Sequence, residues 1–208
     1  MQWINAFSNS QIKYYIYKLN KGDSIIYNYY ETYNKSLIIL SGIIYIIKIF
    51  TNREIIPIAI LNTNNIICLD NLYTTKQNYY KLTAFEQTYI ISFNMNELKY
   101  ESHICKSLTS NIIKSYDLTL KKYELMNNIL MQKNIQNRLI QIILFLSLEF
   151  GIVYQQKIII PFTLSQKNLA NITGSNKITI NRIIHKLSKQ MIIKYSLKKK
   201  FIFRIFLL

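Results

Sequence analysis

The stretch QKNLANITGSNKITINRIIH, Gln166 to His185, has the spacing that two short helices need to cross at a tight turn. In such a pair the first helix presents apolar residues to the second, a small residue sits at the closest approach, and a glycine takes the left-handed turn between them. Leu169, Ala170 and Gly174 meet these three needs. Ile180 and Ile183 follow at i, i+3 on one face of the second helix, placed to bury against Leu169 and Ile172. The other face then carries Lys177, Thr179, Arg182 and Lys186. Ser165 or Thr163 is positioned to cap the first helix, and Ser175 or Asn176 the second. Thr173 is the polar exception in the buried pattern. The stretch reads as a DNA-reading helix-turn-helix; the competing reading is a small helical hairpin whose basic face is merely solvated.

Charge separates the two readings. The chain has 208 residues and a formal net charge of +16. After Glu149 there is no acidic residue but 11 Lys and Arg, whereas the front part holds 15 basic and all 10 acidic residues. A basic segment with so sharp a boundary is the electrostatic footprint of a polyanion, and duplex DNA is the polyanion that a helix-turn-helix fits. Half of the residues are hydrophobic, enough for one sizeable core and a smaller second one, which excludes wholesale disorder. The crowding of Ile, Asn, Lys and Tyr, with only 4 Gly and 2 Pro, is the codon signature of an AT-rich genome.

Other classes find little support. Four scattered glycines leave no phosphate-binding loop, and His103 and His185 lack a metal-ligand or nucleophile pattern, so no catalysis and no metal is expected. His185 sits at the end of the candidate reading helix, placed to meet a phosphate. Cys68 and Cys105 are lone thiols suited to packing in a reducing compartment. The N-terminus MQWINAFSNSQIKYY has neither the charged and apolar regions of a signal peptide nor a transit-peptide pattern. The apolar runs Leu37 to Phe50 and Leu139 to Tyr154 fall short of the about 20 residues a spanning helix needs. No membrane span and no membrane partner are expected.

From Tyr14 to Phe93 the chain reads as short strands: Tyr14 to Leu19, Ser24 to Tyr27, Leu37 to Leu40, Ile43 to Phe50, Ile55 to Ile60, Tyr80 to Phe85 and Thr88 to Phe93. Turn signals at Lys21-Gly22-Asp23, Ser41-Gly42, Thr51-Asn52 and Asn62 to Asn65 separate them, which predicts a small antiparallel barrel or roll. Asn94 or Asn96 is placed to cap a helix running towards Ile104. Ile112, Tyr116, Thr119, Tyr123, Met126 and Leu130 then recur in steps of three and four, the stripe of a long helix expected to pair with its copy in a second subunit; the alternative is a helix packed on its own roll. A helix from Ile135 to Phe150, capped by Asn134 and stopped by Gly151, leads to the helix-turn-helix. Behind it Met191 to Ser196 and Phe201 to Phe206 form a hairpin, a wing with Lys198, Lys199 and Lys200 at its tip.

Asn137-Arg138-Leu139 with Phe150-Gly151-Ile152, then Leu164-Ser165-Gln166, and above all Gly174 to Arg182 (GSNKITINR, close to GSTRVTVTR) carry a resemblance together with this order of parts. The chain resembles the CRP/FNR superfamily of transcription regulators over nearly its whole length, and within it the NtcA-type global nitrogen regulators of cyanobacteria and plastid-encoded counterparts in red algae. The resemblance implies an α+β chain: an N-terminal antiparallel β-roll of cupin-like jelly-roll type (1–105, the sensor), a dimerisation helix (106–133) and a C-terminal winged helix-turn-helix (134–208). It implies a homodimer that binds double-stranded DNA, with RNA polymerase as partner, activation as output and nitrogen metabolism as regulon, in a plastid if organelle-encoded and otherwise in a bacterial cytoplasm. Carried across residue by residue, Lys177 and Arg182 face DNA, Arg182 with a fork suited to O6 and N7 of guanine. Ile178 offers an apolar contact, and Gln166, Ser175, Asn176, Thr179, Lys186 and Lys199 complete the implied DNA surface.

NtcA-type regulators sense 2-oxoglutarate through amides after a turn on the roll and two arginines. Here the turn is Ile67-Cys68 followed by Leu69, the roll arginine is replaced near Asn78, and the helix position is Lys133. Loss of an arginine removes a bidentate carboxylate clamp that one lysine does not replace. Three outcomes stay open: a weakened 2-oxoglutarate site, another ligand, or DNA binding without an effector. No bound cofactor is expected beyond such an effector. The Gly-Glu and Arg-Ser/Thr-Ala elements of cyclic-nucleotide sensors are absent from the sequence. Two rival functions are a basic DNA-binding protein without sequence preference and a metabolite-binding module.

Overall fold

A computed structural model describes residues 2–10, 12–27, 35–68, 77–100, 106–155, 157–190, 193–195 and 201–204, which form two compact units, Met1–Met126 and Asn127–Leu208. The first begins with a helix, α1 (Gln2–Ser8), and continues through strands β1 (Tyr14–Leu19), β2 (Ser24–Tyr27), β3 (Lys35–Ser41), β4 (Ile44–Phe50), β5 (Ile55–Leu61), β6 (Ile66–Cys68), β7 (Asn78–Ala84) and β8 (Thr88–Asn94). They pair antiparallel into two four-stranded sheets, in the orders β1-β8-β3-β6 and β2-β7-β4-β5. Alternate residues of a strand face opposite ways, and both faces of the first sheet are used. Leu37, Ile39, Ile67 and Ile90 meet Ile44, Ile46, Leu61 and Leu82 of the second sheet in the interior of the roll. Ile38, Ile66, Ile91 and Phe93, on the outer face, pack on Trp3 and Phe7 of α1 and on Leu108 and Ile112. Burial on both faces explains the unbroken apolar run in β3.

The sequence reading did not include α1 or β6. Trp3 and Phe7, four residues apart on one side of α1, are its only periodic signal, and the Trp3 indole nitrogen fixes the helix by donating to Asn64 Oδ1 at 2.9 Å. Ile67 and Cys68, expected at a turn, lie on β6 and pair with Leu37 and Ser36. The helix predicted to run to Ile104 is α2 (Glu97–Tyr100) among the described residues. Cys105 lies outside them.

The long helix α3 (Lys106–Leu130) corrects one expectation. Ile112, Thr119 and Met126, assigned to a subunit interface, are buried in the roll's own unit, where Tyr116 and Tyr123 also pack against its cores. Polar Thr119 in that stripe has a local reason. Its Oγ1 accepts from Ile66 N at 2.9 Å and lies 2.9 Å from the carbonyls of Ile66 and Ser115, so it completes the bonding of β6 at the edge of its sheet. The most exposed apolar residues of α3 lie elsewhere: Ile113 at 63% and Leu120 at 62%, ahead of Leu118 and Leu125.

The second compact unit starts at Asn127, inside α3. It contains α4 (Ile135–Phe150), β9 (Ile152–Tyr154), β10 (Lys157–Ile159), α5 (Gln166–Thr173), α6 (Lys177–Lys189), β11 (Ile193–Tyr195) and β12 (Phe201–Arg204). Asn134 caps α4 through Oδ1, which accepts from Gln136 N at 2.8 Å. The strands form one antiparallel sheet in the order β11-β12-β10-β9, so the predicted wing hairpin is half of a four-stranded sheet. Its tip, Lys198 to Lys200, lies outside the described residues.

Candidate nucleic-acid interface

Packing sets the face that α6 presents. Leu169, Ala170 and Ile172 of α5 are buried, as are Ile180, Ile184 and Leu187 of α6, an i, i+4, i+7 series. Ile183, expected in that seam, is only half-buried, because Ile184 takes the central place. Thr173 is fully buried and its hydroxyl is satisfied within its own helix, 2.8 Å from Leu169 O and 3.2 Å from Ala170 O. Gly174 takes φ 62°, and the amides of Gly174 and Ser175 close on Asn171 O and Ala170 O, so the chain reverses within three residues.

The caps resolve two alternatives. Ser165 caps α5, its Oγ accepting from Asn168 N at 3.0 Å, and Asn176 caps α6, its Oδ1 accepting from Thr179 N at 2.8 Å. The Asn176 side chain is thereby occupied by the helix it begins. Ser175 is half-buried, and its Oγ is buried without a hydrogen-bond partner among the described residues. Gln166 reaches across the pair, donating from Nε2 to Asn181 Oδ1 at 2.8 Å. Lys186 Nζ donates to Gln136 Oε1 of α4 at 3.1 Å.

On the opposite side of α6 Ile178, Arg182, His185 and Lys189 are all exposed, Ile178 at 66%. They recur at i, i+4, i+7 and i+11, hence along one line at 3.6 residues per turn. A concavity of about 450 Å³ along this side is lined by Asn181, Arg182, His185, Lys186, Lys189 and Gln190. Lys177 is also exposed, in the first turn and to one side of the line. Thr179 is half-buried. Lys199 lies outside the described residues. Tyr195 of β11 ties the wing sheet to the segment before α5, its hydroxyl donating to Leu164 O at 2.9 Å. Burial raises the Tyr195 pKa above its ordinary value, which keeps the donor protonated.

Of the expected effector residues in the first unit, Cys68 lines a cavity and Asn78 does not. A cavity of about 320 Å³ in the first unit is lined by Ile58, Ile66, Leu120, Tyr80, Tyr116, Tyr123, Thr119 and Cys68. None of these described lining residues carries a charge, and the Thr119 hydroxyl is already engaged with β6. Cys68 Sγ accepts from Ser36 Oγ at 3.2 Å. Asn78 is buried on β7 and is not among that lining, and Lys133 is exposed in the second unit, between α3 and α4. Leu69 lies outside the described residues.

No family model matches the chain. Over 200 residues, 95% of this chain and 81% of the relative, it is 29% identical to ycf28 of Porphyra purpurea, a protein assigned as an HTH-type transcriptional regulator. It is 22% identical over 163 residues to the global nitrogen regulator of Nostoc sp. (strain PCC 7120), covering 77% of this chain and 73% of the relative. Among solved structures it is similar to CprK complexed with OCPA, with a TM-score of 0.67 and 23% identity over 97% of this chain and 90% of that one. It is likewise similar to TTHA1359, a CRP/FNR-family transcriptional regulator from Thermus thermophilus, with a TM-score of 0.68 and 14% identity over 92% and 94% of the two chains. At these identities the two structures establish the fold, and the full-length relative joins that fold to a helix-turn-helix regulator.

The chain has the fold of the CRP/FNR-family regulators. It is a DNA-binding transcription regulator and not an enzyme. In this chain α6 is the second helix of the helix-turn-helix. The DNA surface implied by the sequence omitted Lys189, which shares a line with Arg182; the spacing Ile178, Arg182, His185, Lys189 was the signal for it. No helix of the described residues is long and apolar enough to cross a membrane.

Proposed function

We propose that the protein acts as a homodimer that reads a palindromic operator with α6, activates transcription through RNA polymerase, and belongs to nitrogen control in a plastid. The observation that carries this reading is the exposed line of Ile178, Arg182, His185 and Lys189 on a helix whose other side is locked into α5. Arg182 takes the base contact, with its two parallel donors matched to a guanine edge; Ile178 meets a thymine methyl; Lys177, His185, Lys186 and Lys189 meet phosphates. Gln166, Ser175 and Thr179 sit at the phosphate rim, and Asn176 acts by capping.

Dimerisation is supported by α3. Ile113 and Leu120 lie seven residues apart, two helical turns, and both are exposed. A seam of that spacing is buried economically by the same helix of a second copy. The nitrogen assignment draws on the relatives named global nitrogen regulators, and the plastid assignment on the AT-rich composition and the resemblance to plastid-encoded proteins. Effector control by 2-oxoglutarate is weakened or lost, since the described residues lining the cavity offer a dianion no counter-charge. The test is selection of duplexes from a random pool by the purified chain, with its mass measured on the selected duplex. Two protomers on a two-fold sequence are expected; enrichment of no sequence overturns operator reading, and one protomer per site overturns the dimer.

A further inference from the structure

The reading pair is held from behind by one charged side chain. Arg138, in the first turn of α4, donates from Nε to Gln132 O at 2.7 Å and from Nη1 to Thr173 O at 3.2 Å. Both acceptors lie at helix ends: Gln132 two residues beyond α3, and Thr173 as the last residue of α5. The last carbonyls of a helix have no partner within it, and the helix dipole places partial negative charge there. Two such ends converge on one guanidinium, whose fixed fork spans two acceptors as an ammonium does not. The guanidinium lies beside the turn itself: a Cβ at Gly174 would meet Nη1 at an ordinary contact distance of 3.6 Å.

We propose that Arg138 is a positioning residue for DNA reading: it clamps the segment after α3 to the end of α5 and so fixes the angle at which α6 is presented. Thr173 O is one residue before the left-handed turn at Gly174, and Asn176, two residues further, caps α6. Displacement of the Thr173 carbonyl therefore moves the start of α6, while a side chain that merely filled space would leave the turn where its own hydrogen bonds put it. The inference rests on α6 being the reading helix and concerns what holds that helix in register.

The test compares wild type with Arg138→Met, Arg138→Lys and Leu139→Ala on the duplex that the wild type selects and on a scrambled duplex. Leu139 is fully buried beside Arg138 and makes no part of the clamp, so its truncation reports lost stability alone. In Arg138→Met the ratio of selected to scrambled affinity is expected to fall about tenfold or more while scrambled binding stays within about twofold; Arg138→Lys, reaching one carbonyl, falls between. An unchanged ratio in folded Arg138→Met, full retention in Arg138→Lys, or an equal loss in Leu139→Ala overturns the clamp. Should Arg138→Met not fold, Arg138→Gln and Arg138→Lys carry the same comparison. A wild type that selects no duplex sinks the reading helix and the clamp together, whereas selection by wild type with an unchanged ratio in the variants sinks the clamp alone.

Discussion

The two compact units have kept different things. In the second, the groups that shape the reading pair are engaged: Ser165 and Asn176 cap, Gly174 turns, and Thr173 satisfies its hydroxyl inside α5. In the first, the two sheets enclose an apolar core, and the cavity beside α3 is lined by uncharged groups among the described residues. A core tolerates exchange among Ile, Leu and Tyr so long as volume and pattern persist. Recognition of a charged ligand hangs on one or two side chains in fixed places. Side-chain exchange that a core absorbs can therefore abolish recognition of a charged ligand.

The contrast is broken most forcefully in the seam between α5 and α6. Leu169→Ala should cost the second unit about 2–5 kcal/mol, measured by chemical denaturation, because it opens a cavity at a fully buried position. A cost under about 1 kcal/mol would mean that the seam does not hold the pair together. Next comes Arg182→Ala, expected to lose about 1–3 kcal/mol of discrimination at one base pair of each half-site in competition titrations. Unchanged base preference would remove Arg182 from the reading line. Asn176→Ala sharpens the comparison: as a cap it should cost about 1 kcal/mol of stability with its base preference intact. A shift in preference without a stability change would make Asn176 a DNA contact instead. Lys189→Ala should lower the slope of log affinity against log salt by about 1, uniformly across sequences. The smallest effect is expected from 2-oxoglutarate, which should leave operator affinity unchanged; a clear increase in affinity would restore a working dianion site to the first unit.

Legibility differed along the chain for physical reasons. The helix-turn-helix and its caps could be read because glycine, small residues and cap residues stand at fixed offsets. Seven of the roll strands could be read from runs of β-branched and aromatic residues between turn signals. Strand β6 has three residues and α1 seven, too short for periodicity to emerge. The stripe of Ile112, Thr119 and Met126 was visible, but its destination was not, since an apolar face records that it is covered and not by what. Exposure of Ile113 and Leu120 supplied what spacing alone lacked. The clamping role of Arg138 gave no signal, because both of its acceptors are backbone carbonyls brought near by the fold.

The account stands on α6 reading base edges. Affinity for the selected duplex and for a scrambled one, measured from about 50 to 200 mM salt, tests this most directly. The predicted result is a preference of at least about a thousandfold for the selected sequence that persists as salt rises. Equal affinities, falling together with a steep salt slope, would contradict it and leave the basic segment as a coat of charge.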